Sequence, residues 1–372
     1  MTSRQRVYRQ TLQVLEGTGL SRAVAPLTQG IGAVFMLHRV LPASSAAFQP
    51  NRHLEVTPEF LRATVERIRH NGYKIISLGE AVDLLKMGYG LDNEGTRYAV
   101  LTFDDGFRDN HDIAYPILKE LGVPFTIFLT SGFLDRTSQV WWVALERLIA
   151  TRSLLDLSGL PGAPESTLSC RSDEEKCVAF KRAVRWLTCD LREEAQREAI
   201  IVLAERHGLD LGALADELMM TWDDARRLAE DPLVTLGAHT HDHYALARLS
   251  PDEAAADIQR GIARMEEELG RRPKYFAYPY GFEAAAGPRD GEIAEAIGFR
   301  ACLTTQPGVL RATHARNLML LPRVSLNGHF QDEFMVDQYL TGMPFVLYDA
   351  AKWAASGFGL KPRISRLFPS TR

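Results

Sequence analysis

Short apolar runs separated by amphipathic segments recur along most of the chain. Mainly apolar runs predict eight strands: Ala33–Val40, Tyr73–Leu78, Tyr98–Phe103, Pro124–Thr130, Leu233–Ala238, Tyr275–Pro279, Ala301–Thr305 and Leu318–Leu326. Apolar residues three or four positions apart predict helices, among them Pro58–His70, Leu78–Lys86, Ala114–Leu121, Pro251–Leu269 and Asp290–Ile297. Strands that alternate with helices are typical of a parallel sheet covered on both faces. Seven or eight such units predict an α/β fold, a distorted TIM-like (β/α) barrel, whose functional residues lie at the C-terminal ends of the strands.

Three segments depart from this alternation of strands and helices. The run from about residue 141 to residue 227 is rich in Ala, Leu, Glu and Arg and contains no strand pattern, so we predict a helical insertion in a barrel that spans residues 33–330. Residues 1–32 are predicted to form a basic, amphipathic helical segment, and residues 331–372 a helical tail that mixes basic and aromatic residues. Such mixtures are typical of membrane interfaces. Two interpretations therefore stay open: peripheral membrane contact through the termini, or helices packed on the barrel.

Charge and composition narrow the class of protein. The 372 residues carry a net charge of -4 and are 46% hydrophobic, with a mean hydropathy of -0.14. This charge gives no support for a nucleic-acid partner. No apolar run is long enough for a signal peptide or a membrane span, and the four cysteines form no C-x-x-C pair. We therefore predict a cytoplasmic protein, with peripheral membrane contact as the open alternative; the sequence does not indicate the oligomeric state.

Two short polar motifs follow predicted strands. Asp104 and Asp105 end the run that begins at Tyr98, and His239 and His243 follow the run that ends at Ala238. One carboxylate and two imidazoles suit a divalent metal that activates water, and the second carboxylate can accept the proton of that water. Zinc is the first expectation, and cobalt, nickel and manganese also accept this donor set. Adjacent residues of a strand face opposite ways, so both carboxylates reach one site only if the strand ends there in a turn.

Three motifs in this order resemble the polysaccharide deacetylases, the NodB-like carbohydrate esterases that include chitooligosaccharide deacetylases. They are Leu-Thr-Phe-Asp-Asp-Gly at 101–106, Gly-Ala-His-Thr-His-Asp-His at 237–243 and Phe-Ala-Tyr-Pro-Tyr-Gly at 276–281. The resemblance spans most of the chain, from about residue 35 to residue 324, and is weakest in the predicted insertion. It implies a NodB-like barrel.

The resemblance also assigns residues. It implies that Asp104 is the general base and that Asp105, His239 and His243 bind the metal. The backbone N–H of Tyr280 is similar to the donor that stabilises the oxyanion in this family, where one lost donor costs ~3–4 kcal/mol.

Two positions depart from the family pattern. Many relatives carry an arginine before Pro-Tyr-Gly that orients the base; it is absent here, and Arg323 is the candidate substitute. Many also carry a late Leu-x-His strand with the general acid, for which this chain has no convincing copy. His38, in Phe-Met-Leu-His-Arg-Val, is similar to an early histidine that serves as the acid in exopolysaccharide deacetylases. The alternative for His38 is a buried strand histidine. Trp141 and Trp142 are candidates either for stacking on a sugar or for the core.

The resemblance implies a metal-dependent hydrolase that removes N-acetyl groups from N-acetylglucosamine-containing oligo- or polysaccharides, such as surface-polysaccharide or chitooligosaccharide precursors. Its partner is then an N-acetylated amino sugar. Two alternatives stay open: a NodB-like amidohydrolase acting on a cyclic amide or imide, and a non-catalytic carbohydrate-binding barrel. A glycoside hydrolase needs two carboxylates and no metal, which leaves the histidines unexplained.

Overall fold

A computed structural model describes residues 3–87 and 95–357 of the chain. Its strands are β1 (Gly32–Leu37), β2 (Arg39–Val40), β3 (Glu55–Val56), β4 (Tyr73–Ile75), β5 (Arg97–Phe103), β6 (Phe125–Leu129), β7 (Leu154–Asp156), β8 (Thr167–Ser169), β9 (Val234–Ala238), β10 (Tyr275–Ala277), β11 (Ala301–Pro307) and β12 (Leu321–Ser325). Seven of them, in the order β1-β12-β11-β10-β9-β6-β5, form a closed parallel barrel, because β5 also pairs with β1. The short strand β4 adds to the start of β5. The predicted (β/α) barrel of seven or eight strands is thus confirmed.

Helices precede or follow most barrel strands. They are α1 (Ser3–Gly17), α2 (Leu20–Thr28), α3 (Pro58–His70), α4 (Leu78–Lys86), α5 (Tyr115–Glu120), α6 (Ser131–Leu134), α7 (Trp141–Ala150), α8 (Asp173–Arg185), α9 (Glu193–His207), α10 (Leu211–Leu218), α11 (Trp222–Glu230), α12 (Pro251–Leu269), α13 (Pro288–Ile297), α14 (Glu333–Thr341) and α15 (Met343–Gly357). None of the helices in the described ranges is both long and apolar enough to cross a membrane.

Local capping explains why several helix predictions hold to the residue. The hydroxyls of Thr57, Ser77 and Ser250 accept hydrogen bonds from the first turns of α3, α4 and α12. Ser77 and Ser250 belong to capping boxes, in which a glutamate three residues later binds back to the cap. These caps satisfy N–H groups that a helix start leaves without partners, so they fix where each helix begins.

Two predictions of local structure are wrong. The stretch in which no strand is predicted contains a small antiparallel hairpin, in which β7 pairs with β8. Strands of three residues are too short to show an alternating pattern. The predicted strand 33–40 is interrupted at His38, because Arg39–Val40 leave the barrel and pair with β3 instead.

The interior of the barrel is polar at the end where the chemistry lies. Along β5, Val100, Thr102 and Asp104 share one face, since side chains alternate along a strand. Val100 belongs to a buried apolar cluster with residues of α4. Thr102 and Thr304 donate hydrogen bonds to the carbonyls of neighbouring strands, so both hydroxyls are satisfied in the interior. The barrel interior is therefore apolar around Val100, and a polar layer that contains Thr102 and Thr304 lies between this apolar part and the site.

The insertion and the termini lie around this barrel. Helix α7 packs against both α8 and α9, whereas α11 packs against β9 and α12. Helix α2 contacts α1, α14 and α15, and α14 also contacts α3 on the barrel. The tail from residue 358 to residue 372 lies outside the described residues.

Candidate active site

Three sharp turns, which follow β5, β9 and β10, build the site. In the described ranges, five residues other than glycine have a positive φ, and four of them lie here: Asp105 (77°), Thr240 (62°), His243 (55°) and Tyr280 (60°). Gly106, with φ 83°, completes the turn after β5, so Asp104 and Asp105 both face one site. A left-handed conformation costs a residue with a side chain of order 1 kcal/mol or more, and such residues cluster at functional sites.

Asp104 is held by a buried arginine. Arg323 donates two hydrogen bonds to the Asp104 carboxylate, at 2.8 and 2.7 Å, and its Nε donates to the Thr304 carbonyl at 2.8 Å. Its guanidinium also lies 6.0 Å from the Phe128 ring on β6, which places it inside the barrel. Burial raises the pKa of Asp104, but the positive charge of Arg323 and its hydrogen bonds to the carboxylate outweigh the effect of burial and lower that pKa overall. The structure therefore places Arg323 where it orients a charged Asp104.

Asp105, His239 and His243 offer three ligand atoms within 4.8 Å of one another. His239 Nδ1 lies 2.6 Å from the Ala277 carbonyl, which can only accept, so the proton sits on Nδ1 and the Nε2 lone pair is free. That Nε2 is 3.4 Å from Asp105 Oδ1, and His243 Nε2 is 3.2 Å from the same oxygen. Neutral rings would then point lone pairs at a carboxylate oxygen unless a cation lies among them. The donor set fits a divalent metal.

The protonation of His243 also suits a ligand. Burial lowers the pKa of His243 to about 4, against the opposing charge of Asp105, so its ring is neutral near pH 7. Its edge packs against the rings of Trp142 and Tyr280, with centroids 5.0 and 4.8 Å away. A neutral imidazole fixed by aromatic neighbours is the form that binds a metal.

Tyr280 provides a free backbone donor. Its N–H makes no hydrogen bond to any residue in the described ranges, whereas its carbonyl accepts from the Thr305 hydroxyl at 2.6 Å. A Cβ on the next residue, Gly281, would lie 2.6 Å from the Thr305 nitrogen, so glycine is needed for this turn. The turn thus leaves one backbone N–H without a partner in the described ranges, at a residue whose ring contacts the His243 ring, so this N–H is available as an oxyanion donor.

His38 follows the barrel strand next to β5. The carbonyl of Leu37 accepts from the Asp104 N–H at 3.0 Å, so His38 begins at the level of the two aspartates. Burial lowers the pKa of His38. The negative charges of Asp105 and Asp104 act to raise that pKa, but the effect of burial is larger. The half-buried ring therefore shares the electrostatic environment of the site.

The insertion supplies contacts that sequence reasoning missed. Arg197, on α9, donates to the carbonyls of His243 and Asp242, at 2.9 and 3.2 Å. Trp141, on α7, donates to the Tyr280 hydroxyl at 2.8 Å. Trp141 and Trp142 are buried, with 0% and 3% exposure, so both belong to the wall of the site and not to a sugar-stacking surface. The helical pattern of α7 and α9 does not indicate that Trp141 and Arg197 contact the site.

The opposite side of the histidine turn is held by α12. Asp257 accepts a hydrogen bond from the Asp242 N–H at 3.0 Å. A Cβ at Gly261 would lie 2.8 Å from the Thr240 carbonyl, so the turn sits directly on the helix surface. Thr240 Oγ1 accepts from the His243 N–H at 2.9 Å. The turn is therefore clamped between α9 and α12.

We expect Arg197→Met to weaken metal binding more than it weakens the fold. The variant leaves two buried carbonyls without their donor and loosens the turn that carries His243, and losing such a supporting contact typically costs 10–100-fold in metal affinity. Zinc affinity and the urea midpoint of the metal-free protein give the comparison. Arg185→Met, on the exposed face of α8, is the control. A metal affinity equal to that of the control variant would show that Arg197 does not support the turn that carries His243.

A half-buried carboxylate on α7, that of Glu146, makes stability depend on pH. Burial raises the pKa of Glu146 from 4.5 to about 7, although an Asn51 amide donates to it at 2.7 Å. A raised pKa favours the protonated, folded form, so this stability is complete below about pH 4.5 and is lost as pH rises through 7. We expect Glu146→Gln to be more stable than the wild type at pH 8 and equal to it near pH 4.5. Urea unfolding at both pH values tests this, with Glu205→Gln as the exposed control.

Comparison with known proteins agrees with this geometry. The family model described as polysaccharide deacetylase matches residues 91–154 and 186–301, which include the Asp104–Asp105 turn, the histidine turn and Tyr280. The chain belongs to the polysaccharide deacetylase family.

Individual relatives are more distant. A protein named for this family, YxkH of Bacillus subtilis (strain 168), is 36% identical over 77 residues, which are 20% of this chain and 26% of that relative. The match therefore spans about a quarter of the length of YxkH. Among solved structures, the Streptococcus pyogenes deacetylase PplD in complex with acetate has a TM-score of 0.52 and 16% identity, covering 82% of this chain and 97% of that one. IcaB from Ammonifex degensii has a TM-score of 0.52 and 20% identity, covering 84% and 97%. These similarities show the shared fold.

Proposed function

We propose that the protein is a metal-dependent N-deacetylase acting on N-acetylglucosamine units of an oligo- or polysaccharide. The observation that carries this proposal is the Asp104–Arg323 pair beside the Asp105, His239 and His243 donor set. A buried, charged carboxylate next to a metal-ligand set suits hydrolysis of an amide by water. Membership of the polysaccharide deacetylase family supports an acetylated sugar as the substrate.

Asp104 is the proton acceptor in this proposal. Arg323 binds both of its oxygens, which fixes the carboxylate plane and keeps it charged, so one oxygen lone pair stays available for the proton of the attacking water. A divalent metal on Asp105, His239 and His243, with zinc the first candidate, would lower the pKa of water and polarise the acetamide carbonyl.

The other two residues act on the opposite ends of the scissile bond. The Tyr280 N–H donates to the carbonyl oxygen as it becomes an oxyanion in the tetrahedral intermediate. His38, which lies at the level of the two aspartates, gives a proton to the departing amine. The C–N bond breaks, and acetate and a free amine leave.

The experiment is acetate release from N-acetylglucosamine oligomers by metal-stripped protein, with and without added zinc or cobalt. Release that returns with the metal supports the proposal. Binding of one metal per chain without release would overturn the sugar substrate and direct the search to cyclic amides. Failure to bind metal would overturn the assignment of the site.

A further inference from the structure

Exposed apolar side chains are concentrated on three terminal helices. Of the eleven large hydrophobic residues exposed in the described ranges, seven lie on α1, α2 and α15: Val7, Val14, Leu20, Leu27, Val346, Tyr348 and Trp353. These helices have 15, 9 and 15 residues, about a ninth of the described chain. Isolated exposed hydrophobic residues are ordinary, but a concentration on one set of elements marks an interaction surface.

The spacing of these residues places them on outward faces. Val7 and Val14, Leu20 and Leu27, and Val346 and Trp353 are each seven residues apart, so each pair lies on one side of its helix. Helix α2 contacts both α1 and α15, so the three helices form one group. Leu27 is 80% exposed and Trp353 is 79% exposed. We call this set of residues the terminal apolar face.

Charge separates the terminal segments from the rest of the chain. Residues 1–28 and 343–372 contain nine basic and two acidic residues, a net charge of +7. The whole chain has a net charge of -4, so the remainder carries -11. Arg22, on α2 with Leu20 and Leu27, has a side chain that is 80% exposed and that forms an ion pair of 2.6 Å with Glu16 on α1. Apolar helix faces in a basic setting complement a surface of anionic lipid headgroups.

We propose that the terminal apolar face docks the protein on an anionic membrane surface. A basic segment attracts the anionic headgroups, and leucine and tryptophan side chains enter the interface, where tryptophan is favoured. A second copy of the chain fits less well, because the terminal segments of both copies carry the same net positive charge in sequence and would repel each other.

Helix α15 also reaches towards the candidate active site. Lys352, one residue before Trp353, forms an ion pair of 2.8 Å with Glu283, three residues after Tyr280. Docking through this helix would therefore hold the loop that follows the oxyanion turn close to the lipid surface. This part of the inference rests on the proposed function and suits an acetylated sugar attached to a lipid.

The test is flotation of the full chain with vesicles of phosphatidylcholine, with or without about 30% phosphatidylglycerol. We expect binding to the anionic vesicles, little binding to the neutral ones, and release at about 0.5 M salt. Leu27→Glu and Trp353→Glu should each reduce binding about tenfold or more, since each removes a side chain that enters the interface. Val178→Glu, which adds the same charge to an exposed site on α8, should bind as the wild type does.

The outcomes separate this inference from the proposed function. No flotation with anionic vesicles, or equal loss with Val178→Glu, would overturn it. A concentration-dependent dimer that Leu27→Glu abolishes, with no vesicle binding, would assign the face to a second copy and overturn it as well. Acetate release from soluble oligomers, measured on the same variants, reports on the chemistry independently of docking.

Discussion

Asp104→Asn should lose acetate release by roughly 10²- to 10⁴-fold while it still binds one metal per chain. The amide has no basic lone pair for the proton of the attacking water, whereas Asp105, His239 and His243 are unchanged. A loss in kcat at unchanged metal stoichiometry is the expected signature. Single-turnover kinetics on metal-loaded protein, with metal content measured on the same sample, gives both quantities.

The matched control for this prediction is Asp112→Asn, a nearby carboxylate on the surface whose side chain is 53% exposed. It should retain full activity. Because Arg323 keeps one acceptor in the amide variant, the protein should still fold, and circular dichroism checks that it does. Undiminished acetate release by folded Asp104→Asn would exclude this residue as the base.

Arg323→Met should produce the largest loss of stability. Its guanidinium is fully buried and is bound to both oxygens of Asp104, whose side chain is 2% exposed. Removing one partner of a buried ion pair leaves an unpaired charge in the interior, which typically costs about 3–5 kcal/mol. The variant should also lose most activity, because the base is no longer oriented. Urea unfolding measures the first effect and acetate release the second.

A double variant distinguishes loss of the pair from loss of packing. Asp104→Asn combined with Arg323→Met removes both charges, so it should be more stable than Arg323→Met alone. Arg227→Met, at a side chain that is 70% exposed, should change stability by no more than about 0.5 kcal/mol. If Arg323→Met is no less stable than Arg227→Met, the ion pair does not stabilise the barrel.

Most of the fold follows from local signals in the sequence. The barrel strands are buried on both faces, so they appear as short apolar runs, and the serine and threonine caps mark where α3, α4 and α12 begin. The hairpin β7–β8 was missed because its three-residue strands are too short to show an alternating pattern, and the break at His38 was missed because it depends on the pairing of Arg39–Val40 with β3. Local pattern therefore predicts elements better than it predicts their pairing.

The candidate site likewise contains some residues that local sequence motifs reveal and others that they do not. Residues at strand ends, such as Asp104 and His239, are visible because their motifs interrupt apolar runs. The contact of Arg323 with Asp104 spans 219 positions, and sequence suggested it only because an expected arginine was absent elsewhere. Arg197 and Asp257 lie within the helices α9 and α12 and bind backbone groups of the histidine turn, so no side-chain motif marks them.

The closure of the barrel has a consequence for synthesis of the chain. The first barrel strand, β1, lies between β5 and the last strand, β12, and β12 carries the partner of Asp104. On the ribosome, the Asp104 carboxylate therefore has no arginine to pair with until more than 200 further residues have been made. The barrel cannot close, and the polar layer in its interior cannot be shielded from water, before β12 emerges from the ribosome. Nascent chains that stop before residue 321 should thus stay open and hydrated, and the catalytic centre should be the last part of the molecule to mature.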